Sequence, residues 1–339
     1  MSISHDQFNL AKHLTFQRVC NVLKLGLSFQ WQKLSKNGKA KALPLSLSIE
    51  PTTACNLGCP ECPSGLKQFS RPTGKLAHDL HEKILDEVKS SVFYINYYFQ
   101  GEPFLHPDFL ELIGAAKKRK IYTATSTNAH FIDEKKAEEI VASGLDRLII
   151  SLDGLTQKSY EQYRINGNLN KVLEATKLLV LAKSKLKSNT PHLIFQFLAV
   201  SANEQDIPQL FNKAKELKVD EVRIKTAQFY SFENGNPLMP KNERYSRYTL
   251  GADGKYRLKN KLKNECWRMW SGSVITWDGK AVPCCFDKDA VHRLGDLNTH
   301  SFQEVWQSKE YVSFRKSVFT KRQDIDICKN CTEGTKVWA

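Results

Sequence analysis

The chain has 339 residues, 41% of them hydrophobic, enough to bury a full core in one large domain and a smaller one. Its net charge of +14 favours anionic partners, namely phosphorylated substrates, lipid surfaces or nucleic acid, but no nucleic-acid-binding motif is present. The start lacks a basic region followed by an apolar one, and no apolar run approaches about 18 residues, which speaks against a secretory signal or a spanning helix.

Residues 12–36 read as a helix. Phe16, Cys20, Leu23, Leu27, Trp31 and Leu34 recur at three- and four-residue steps, with Arg18, Lys24 and Lys33 off the stripe. Such a helix either packs against the rest of its own fold or rests on a membrane surface with Trp31 at the interface. Cys20 on that stripe is expected to be buried. A linker rich in Lys, Asn and Gly follows.

From residue 45 to about 228, strands alternate with helical patterns. Strands are expected at Leu45–Ile49, Val92–Gln100, Ile121–Thr127, Arg147–Leu152, Leu193–Val200 and Glu221–Thr226. Helices are expected near 79–90, 106–120, 133–143, up to about 187, and 207–217; Asp133 suits the start of one helix and Gly144 the end. Six strands separated by helices imply an α/β fold with parallel pairing, either an open sheet or a partial barrel. Chemistry then gathers at the C-terminal ends of the strands.

One such end carries Cys55, Cys59 and Cys62, spaced C-x3-C-x2-C. Gly58 is placed to let the loop curl, and Pro60 and Pro63 to stiffen it. Three thiolates suit three corners of a cubane iron–sulfur cluster and leave the fourth iron open, whereas structural zinc takes four ligands. The nine cysteines are spaced as metal ligands, not as a disulfide set, which implies a reducing, cytoplasmic compartment.

This loop resembles the signature of the radical S-adenosylmethionine (SAM) enzymes. The resemblance implies a partial (β/α)6 TIM-like barrel and a 4Fe–4S cluster whose open iron chelates SAM, cleaved to a 5′-deoxyadenosyl radical. It also implies SAM contacts at the strand ends: Gly101 and Glu102 for the ammonium group, and Asn128, Ser151 and Arg164 for the ribose and methionyl parts. A guanidinium pairs well with a carboxylate, and hydroxyls and amides suit ribose. Read without the resemblance, Gly101–Glu102 is a turn, Asn128 a helix-entry residue and Arg164 a surface ion pair. Glu61 departs from the aromatic residue often found before the third cysteine. Strand five lacks a clear Gly-x-Ile-x-Gly-x-x-Glu pattern, so adenine contacts are unassigned.

Four more cysteines follow a polar segment: Cys266, Cys284, Cys328 and Cys331, with Cys285 beside the second. Ser273–Val282 reads as a hairpin around Asp278-Gly279, which would bring Cys266 toward Cys284. Four thiolates fit zinc or a fully ligated 4Fe–4S cluster. The C-x12-G-x4-C pattern resembles the opening of a SPASM domain. The closing Cys328-x2-Cys331 resembles its shortened twitch form, and the whole pattern most resembles the twitch-bearing aminocyclitol dehydrogenases. The expected organisation is a basic helix and linker (1–44), barrel (45–231), irregular insertion (232–264) and small α+β iron–sulfur domain (265–339). Cys285 reads as a small core residue or a further ligand, and Trp267, Trp270, Trp277 and Trp306 as packing around the cluster.

The resemblance implies an oxidoreductase-type radical SAM enzyme acting on a small anionic or sugar-like metabolite. An auxiliary cluster would accept an electron, and flavodoxin or ferredoxin would donate one. Asp287 or Asp289 would act as a base, unless they are surface turn residues. The alternatives are modification of a peptide or a membrane-associated lipid, and a non-enzymatic, zinc-stabilised nucleic-acid-binding module. A peptide-recognition domain of winged-helix type is not expected in the 44 residues before the first strand.

Overall fold

The computed structural model describes residues 5–259 and 262–332; residues 1–4, 260–261 and 333–339 of the expected segments lie outside them. The chain divides into two compact units, one of residues 5–54, 69–125 and 262–332, the other of residues 55–68 and 126–259.

The first unit opens with α1 (His5–Ala11), α2 (Phe16–Ser35) and β1 (Ser46–Ile49). The chain enters the second unit for the cysteine loop and α3 (Pro63–Leu66), then returns for α4 (His78–Val88), β2 (Tyr94–Asn96), α5 (Phe109–Lys118) and most of β3 (Tyr122–Thr127). The second unit continues with α6 (Glu134–Ala142), β4 (Arg147–Ser151), α7 (Gln157–Glu161), α8 (Leu169–Lys185), β5 (His192–Ala199), α9 (Ile207–Glu216), β6 (Glu221–Thr226), β7 (Tyr248–Leu250) and β8 (Tyr256–Leu258). Back in the first unit lie α10 (Trp267–Ser271), β9 (Gly272–Ile275), β10 (Lys280–Val282), β11 (Gly295–Asp296), α11 (Phe302–Trp306), α12 (Lys309–Lys321) and α13 (Asp326–Lys329).

The expected parallel α/β core is present. In the first unit β1 pairs in parallel with β2, Leu47 opposite Ile95, and β2 with β3, Ile95 opposite Thr123. In the second, β4, β5 and β6 run parallel, with Phe195 between Ile150 and Val222. Both faces of such strands are covered, and Leu148, Ile150, Leu193, Phe195 and Phe197 are fully buried.

The hairpin at Asp278-Gly279 forms as expected: β9 and β10 are antiparallel, and Gly279 takes φ +82° at the turn. Its place was not foreseen. β9 adds to the free edge of β1 in parallel, Leu47 opposite Ser273, so the cysteine-rich segment continues the sheet of the first unit.

Three local expectations differ from the structure. β2 is three residues long, because the chain leaves the strand for a turn at Gly101, φ +77°. The segment 232–264 is not wholly irregular: β7 and β8 pair antiparallel around Asp253-Gly254, with Gly254 at φ +75°. Cys20 is half-exposed, because the α2 stripe to which it belongs faces outward.

The inward face of α2 is a different one: Arg18, Leu25, Ser28, Phe29 and Gln32. Phe29 meets Trp267 edge-on at 5.1 Å and Phe319 at 5.8 Å. The Arg18 guanidinium donates to the carbonyls of His13 (2.7 Å), Lys89 (2.8 Å), Arg119 (3.0 Å) and Lys120 (2.5 Å). Those last three close α4 and α5, where helix dipoles favour a cation.

Candidate active site

The cysteine loop leaves β1 and ends in α3. Cys62 is the extended residue before that helix, and Pro63 is its first residue, where a missing N–H costs nothing. The Cys62 N–H donates to the Cys59 carbonyl (3.3 Å), and the Gly58 N–H to that of Ile165 (2.9 Å). The glycine that the loop cannot replace is Gly65, not Gly58: a Cβ there would stand 2.5 Å from the Cys59 nitrogen. At Gly58 a Cβ would come to 3.3 Å from a movable Ile165 methyl.

Cys59 is buried with Leu57, Tyr163, Val200, Phe229 and Tyr248, and Cys55 and Cys62 pack against the same group. Burial pushes the Cys59 thiol up, while Arg164 pulls it back. The Arg164 Nη1 donates to the Cys59 sulfur at 3.8 Å, and Nε to Asp153 at 2.5 Å. Asp153 is itself fixed by the Leu198 N–H at 2.6 Å. Burial alone would lower the Arg164 pKa, but Asp153 and then the Cys59 thiol raise it well above the ordinary value. The result is a guanidinium locked beside the central thiol, not a surface ion pair.

Asn128 is buried after β3 and donates to Asn56 of the loop at 2.7 Å. Sequence reading missed its neighbour His130, whose Nδ1 donates to the Asn128 carbonyl (2.8 Å) while Nε2 accepts from the Asn168 N–H (2.8 Å). This pair of bonds requires a neutral ring, and burial lowers the His130 pKa accordingly. Ser151 closes β4, buried, opposite Gln196. Glu61 accepts from the Tyr230 N–H (2.9 Å) and the Asn236 amide (3.2 Å), tying the loop to the segment after β6.

In the first unit, a Cβ on Gly101 would lie 2.2 Å from the Thr52 carbonyl oxygen. The turn is thus pressed onto the residues before Cys55, and the Glu102 N–H donates to the Ala54 carbonyl at 2.7 Å. The buried Glu102 carboxylate accepts from the Phe104 N–H at 3.2 Å. Glu50, at the end of β1, forms a two-pronged pair with Arg71, both contacts 2.6 Å, and accepts from the Trp277 N–H at 3.2 Å. The Trp277 ring fills the space where a Gly74 Cβ would sit, 2.3 Å away. No spacing in the sequence announces this arrangement.

The four later cysteines lie on the ends of short elements: Cys266 before α10, Cys284 after β10, Cys328 in α13 and Cys331 after it. Burial, then the charges of Cys285, Cys266 and Cys331, push the Cys284 thiol well up. Cys328 is raised by burial and lowered by Arg322. Arg322, buried and unforeseen, donates to the Cys331 sulfur at 3.6 Å and is braced by the Glu265 carbonyl at 2.6 Å. Among the described residues no three His, Cys, Asp or Glu side chains close into a single-ion site. The donor chemistry nonetheless fits an iron–sulfur group: buried thiols that raise one another's pKa give up protons when a cation takes their charge.

Asp287 is buried, not a surface turn residue, and both oxygens accept backbone N–H groups, from Val291 and His292 at 2.8 Å each. Burial pushes its carboxyl up. Asp289 accepts from the Ser70 N–H at 3.0 Å. Cys285 is half-buried against Phe99, Val274 and Val282, and with Cys284 it lines a cavity of about 70 Å³ that also touches Ser46, Ser48, Asn96 and Ser273. Trp270 and Trp306 are fully buried, with Arg315 between them 3.9 Å from the Trp306 ring, whereas Trp267 is partly exposed.

Family models match on both halves of this arrangement. Residues 49–196 match the radical SAM superfamily, and residues 266–332 the SPASM iron–sulfur cluster-binding domain. The chain is a radical SAM enzyme with a C-terminal SPASM domain. It is 27% identical to the PqqA peptide cyclase of Gluconobacter oxydans, over 87% of this chain and 84% of that one. It is 24% identical to the tungsten-containing aldehyde ferredoxin oxidoreductase cofactor-modifying protein of Pyrococcus furiosus, over 84% and 86%. Among solved structures, Streptococcus suis SuiB bound to precursor peptide SuiA matches 90% of this radical SAM chain and 74% of its own, with TM-score 0.63 and 16% identity. BtrN in complex with AdoMet and 2-DOIA covers 86% and 94%, with TM-score 0.54 and 18% identity. These likenesses give the fold: the partial barrel of the superfamily. The radical SAM domain binds a 4Fe–4S cluster and SAM, and SPASM domains bind auxiliary clusters. The non-enzymatic alternative falls.

Proposed function

We propose that this enzyme modifies a peptide by abstracting a hydrogen atom from it. When bound, the cluster and SAM supply a 5′-deoxyadenosyl radical, and the auxiliary cluster supplies an electron acceptor. Cys55, Cys59 and Cys62 hold the first cluster, and Cys266, Cys284, Cys328 and Cys331 the second.

The observation that carries the radical chemistry is Arg164 held between Asp153 and Cys59, a guanidinium beside the loop's central thiol that would pair with a methionyl carboxylate. Asn128, steadied by His130, and Ser151 meet the ribose and methionyl parts. The Gly101–Glu102 turn receives the ammonium group. Asp287 braces its loop in place of acting as a base. Flavodoxin or ferredoxin is the expected reductant.

The likeness to a peptide cyclase supports a peptide over a sugar-like metabolite as the substrate. The test uses extract from cells grown on deuterated medium, supplied to reduced enzyme with SAM. Deuterium should enter 5′-deoxyadenosine with the peptide fraction and stop after protease treatment. Transfer from the protease-resistant small-molecule or lipid fraction would reject the peptide. No deoxyadenosine under dithionite would reject the catalytic assignment.

A further inference from the structure

Helix α2 carries two opposed stripes, about 200° apart between Phe16 and Arg18 at 3.6 residues per turn. The inward one is held by the Arg18 and Phe29 contacts already described. Trp270 adds an Nε1–H bond to the Leu25 carbonyl (3.3 Å), and the Ser28 hydroxyl accepts from the Lys41 N–H (3.2 Å). The outward stripe is the more apolar: Phe16 is 84% exposed, Leu27 73% and Leu34 79%, with Leu23 and Trp31 between them. Phe8 and Leu14 extend this apolar exposure at the α1 end. A continuous apolar face about 27 Å long, from 18 steps of 1.5 Å, is far beyond scattered surface leucines.

Charge names what covers it. Residues 7–49 contain no Asp or Glu, but seven Lys and Arg. Arg18 is buried; Lys12, Lys24, Lys33, Lys36, Lys39 and Lys41 are exposed, and of these Lys33 pairs with Glu265 at 2.7 Å. An apolar stripe flanked by lysines, in a segment with no carboxylate of its own, matches an anionic lipid surface. A second copy docked face to face would bring the same lysines together without counter-charge. Among the described residues no helix is long and apolar enough to cross a bilayer.

We propose that the outward face of α2 seats the enzyme on an anionic membrane, its apolar side chains at the boundary between headgroups and acyl chains and its lysines on lipid phosphates. The proposal is independent of the substrate reading.

The test is flotation of the anaerobically purified holoenzyme with phosphatidylcholine vesicles, with and without phosphatidylglycerol. Wild type should float with the anionic vesicles only, and less as salt rises. Leu23→Glu with Leu27→Glu should weaken partitioning at least about tenfold while the melting temperature and deoxyadenosine formation stay unchanged. If that variant misfolds, Trp31→Phe decides: brominated anionic lipid should quench wild-type fluorescence more than that of the variant. Equal quenching, or no flotation of wild type, overturns the proposal. A dimer dissolved by the Glu variant, without flotation of wild type, would assign the face to a second copy instead.

Discussion

Glu50 and Arg71, both nearly inaccessible to solvent, face each other through two hydrogen bonds of 2.6 Å, and the Trp277 N–H closes on the same carboxylate. The pair joins the end of β1, just before the cysteine loop, to the hairpin of the cysteine-rich segment. Burial pushes Glu50 up, and Arg71 pulls it back toward the charged form. Breaking such a pair leaves a buried charge uncompensated. Arg71→Met should therefore lower stability by about 3–5 kcal/mol. Glu50→Leu with Arg71→Met should recover most of it. Chemical denaturation of the three proteins measures both.

Arg164→Lys tests the fork beside Cys59. A lysine keeps the charge but loses the paired geometry toward a carboxylate. The expected outcome is a KM for SAM raised about tenfold, near 1.4 kcal/mol, with iron content unchanged. Loss of iron together with activity would mark Arg164 as a support of the loop instead.

Gly101→Ala places a methyl group 2.2 Å from the Thr52 carbonyl, on a residue at φ +77°. Backbone must move, and the chain just before Cys55 moves with it. We expect the variant to hold about four irons where wild type holds about eight, with the SPASM cluster retained. Iron and sulfide analysis decides.

Arg322→Leu removes the donor to the Cys331 sulfur. Losing a buried cation beside thiolates disfavours the added electron, and reduction of the auxiliary centre should become about tenfold harder, near 59 mV. An EPR-monitored titration in a Cys55/Cys59/Cys62→Ala background reads that centre alone.

His81 sets an acid limit. It is buried, its Nε2 within 2.7 Å of the Tyr97 hydroxyl, and burial lowers its pKa from 6.5 to about 3. The fold keeps the neutral ring, so its contribution is full above about pH 6.5 and is lost as pH falls toward 3. The slope reaches at most about 1.4 kcal/mol per pH unit. His81→Gln should flatten the stability profile between pH 8 and 5.5 relative to wild type.

Much of this was legible because it is local. The C-x3-C-x2-C and Cys328-x2-Cys331 spacings, the alternation of strands and helices, and the Asp278-Gly279 turn all lie within short windows. The same turn rule applied to Asp253-Gly254 would have found β7 and β8. What escaped depends on distant pairing. Nothing near Arg71 points to Glu50, and Arg322 is separated from its thiols by an unremarkable run. The α2 stripe had the right period but left its direction open, because periodicity says which residues share a face and not which face turns inward. Arg18, off the apolar stripe, was the clue: a cation facing two helix ends reverses the usual polarity.

That guanidinium also makes the N-terminal segment a keystone rather than an appendage. Clipping off the first helices would bare the carbonyl tips of α4 and α5 and strip Phe29 from Trp267 and Phe319 in one stroke. A truncated enzyme would then fail for reasons of folding. Any trait that selection wrote on the outer side of α2 has to be erased one side chain at a time, with the inner side left whole.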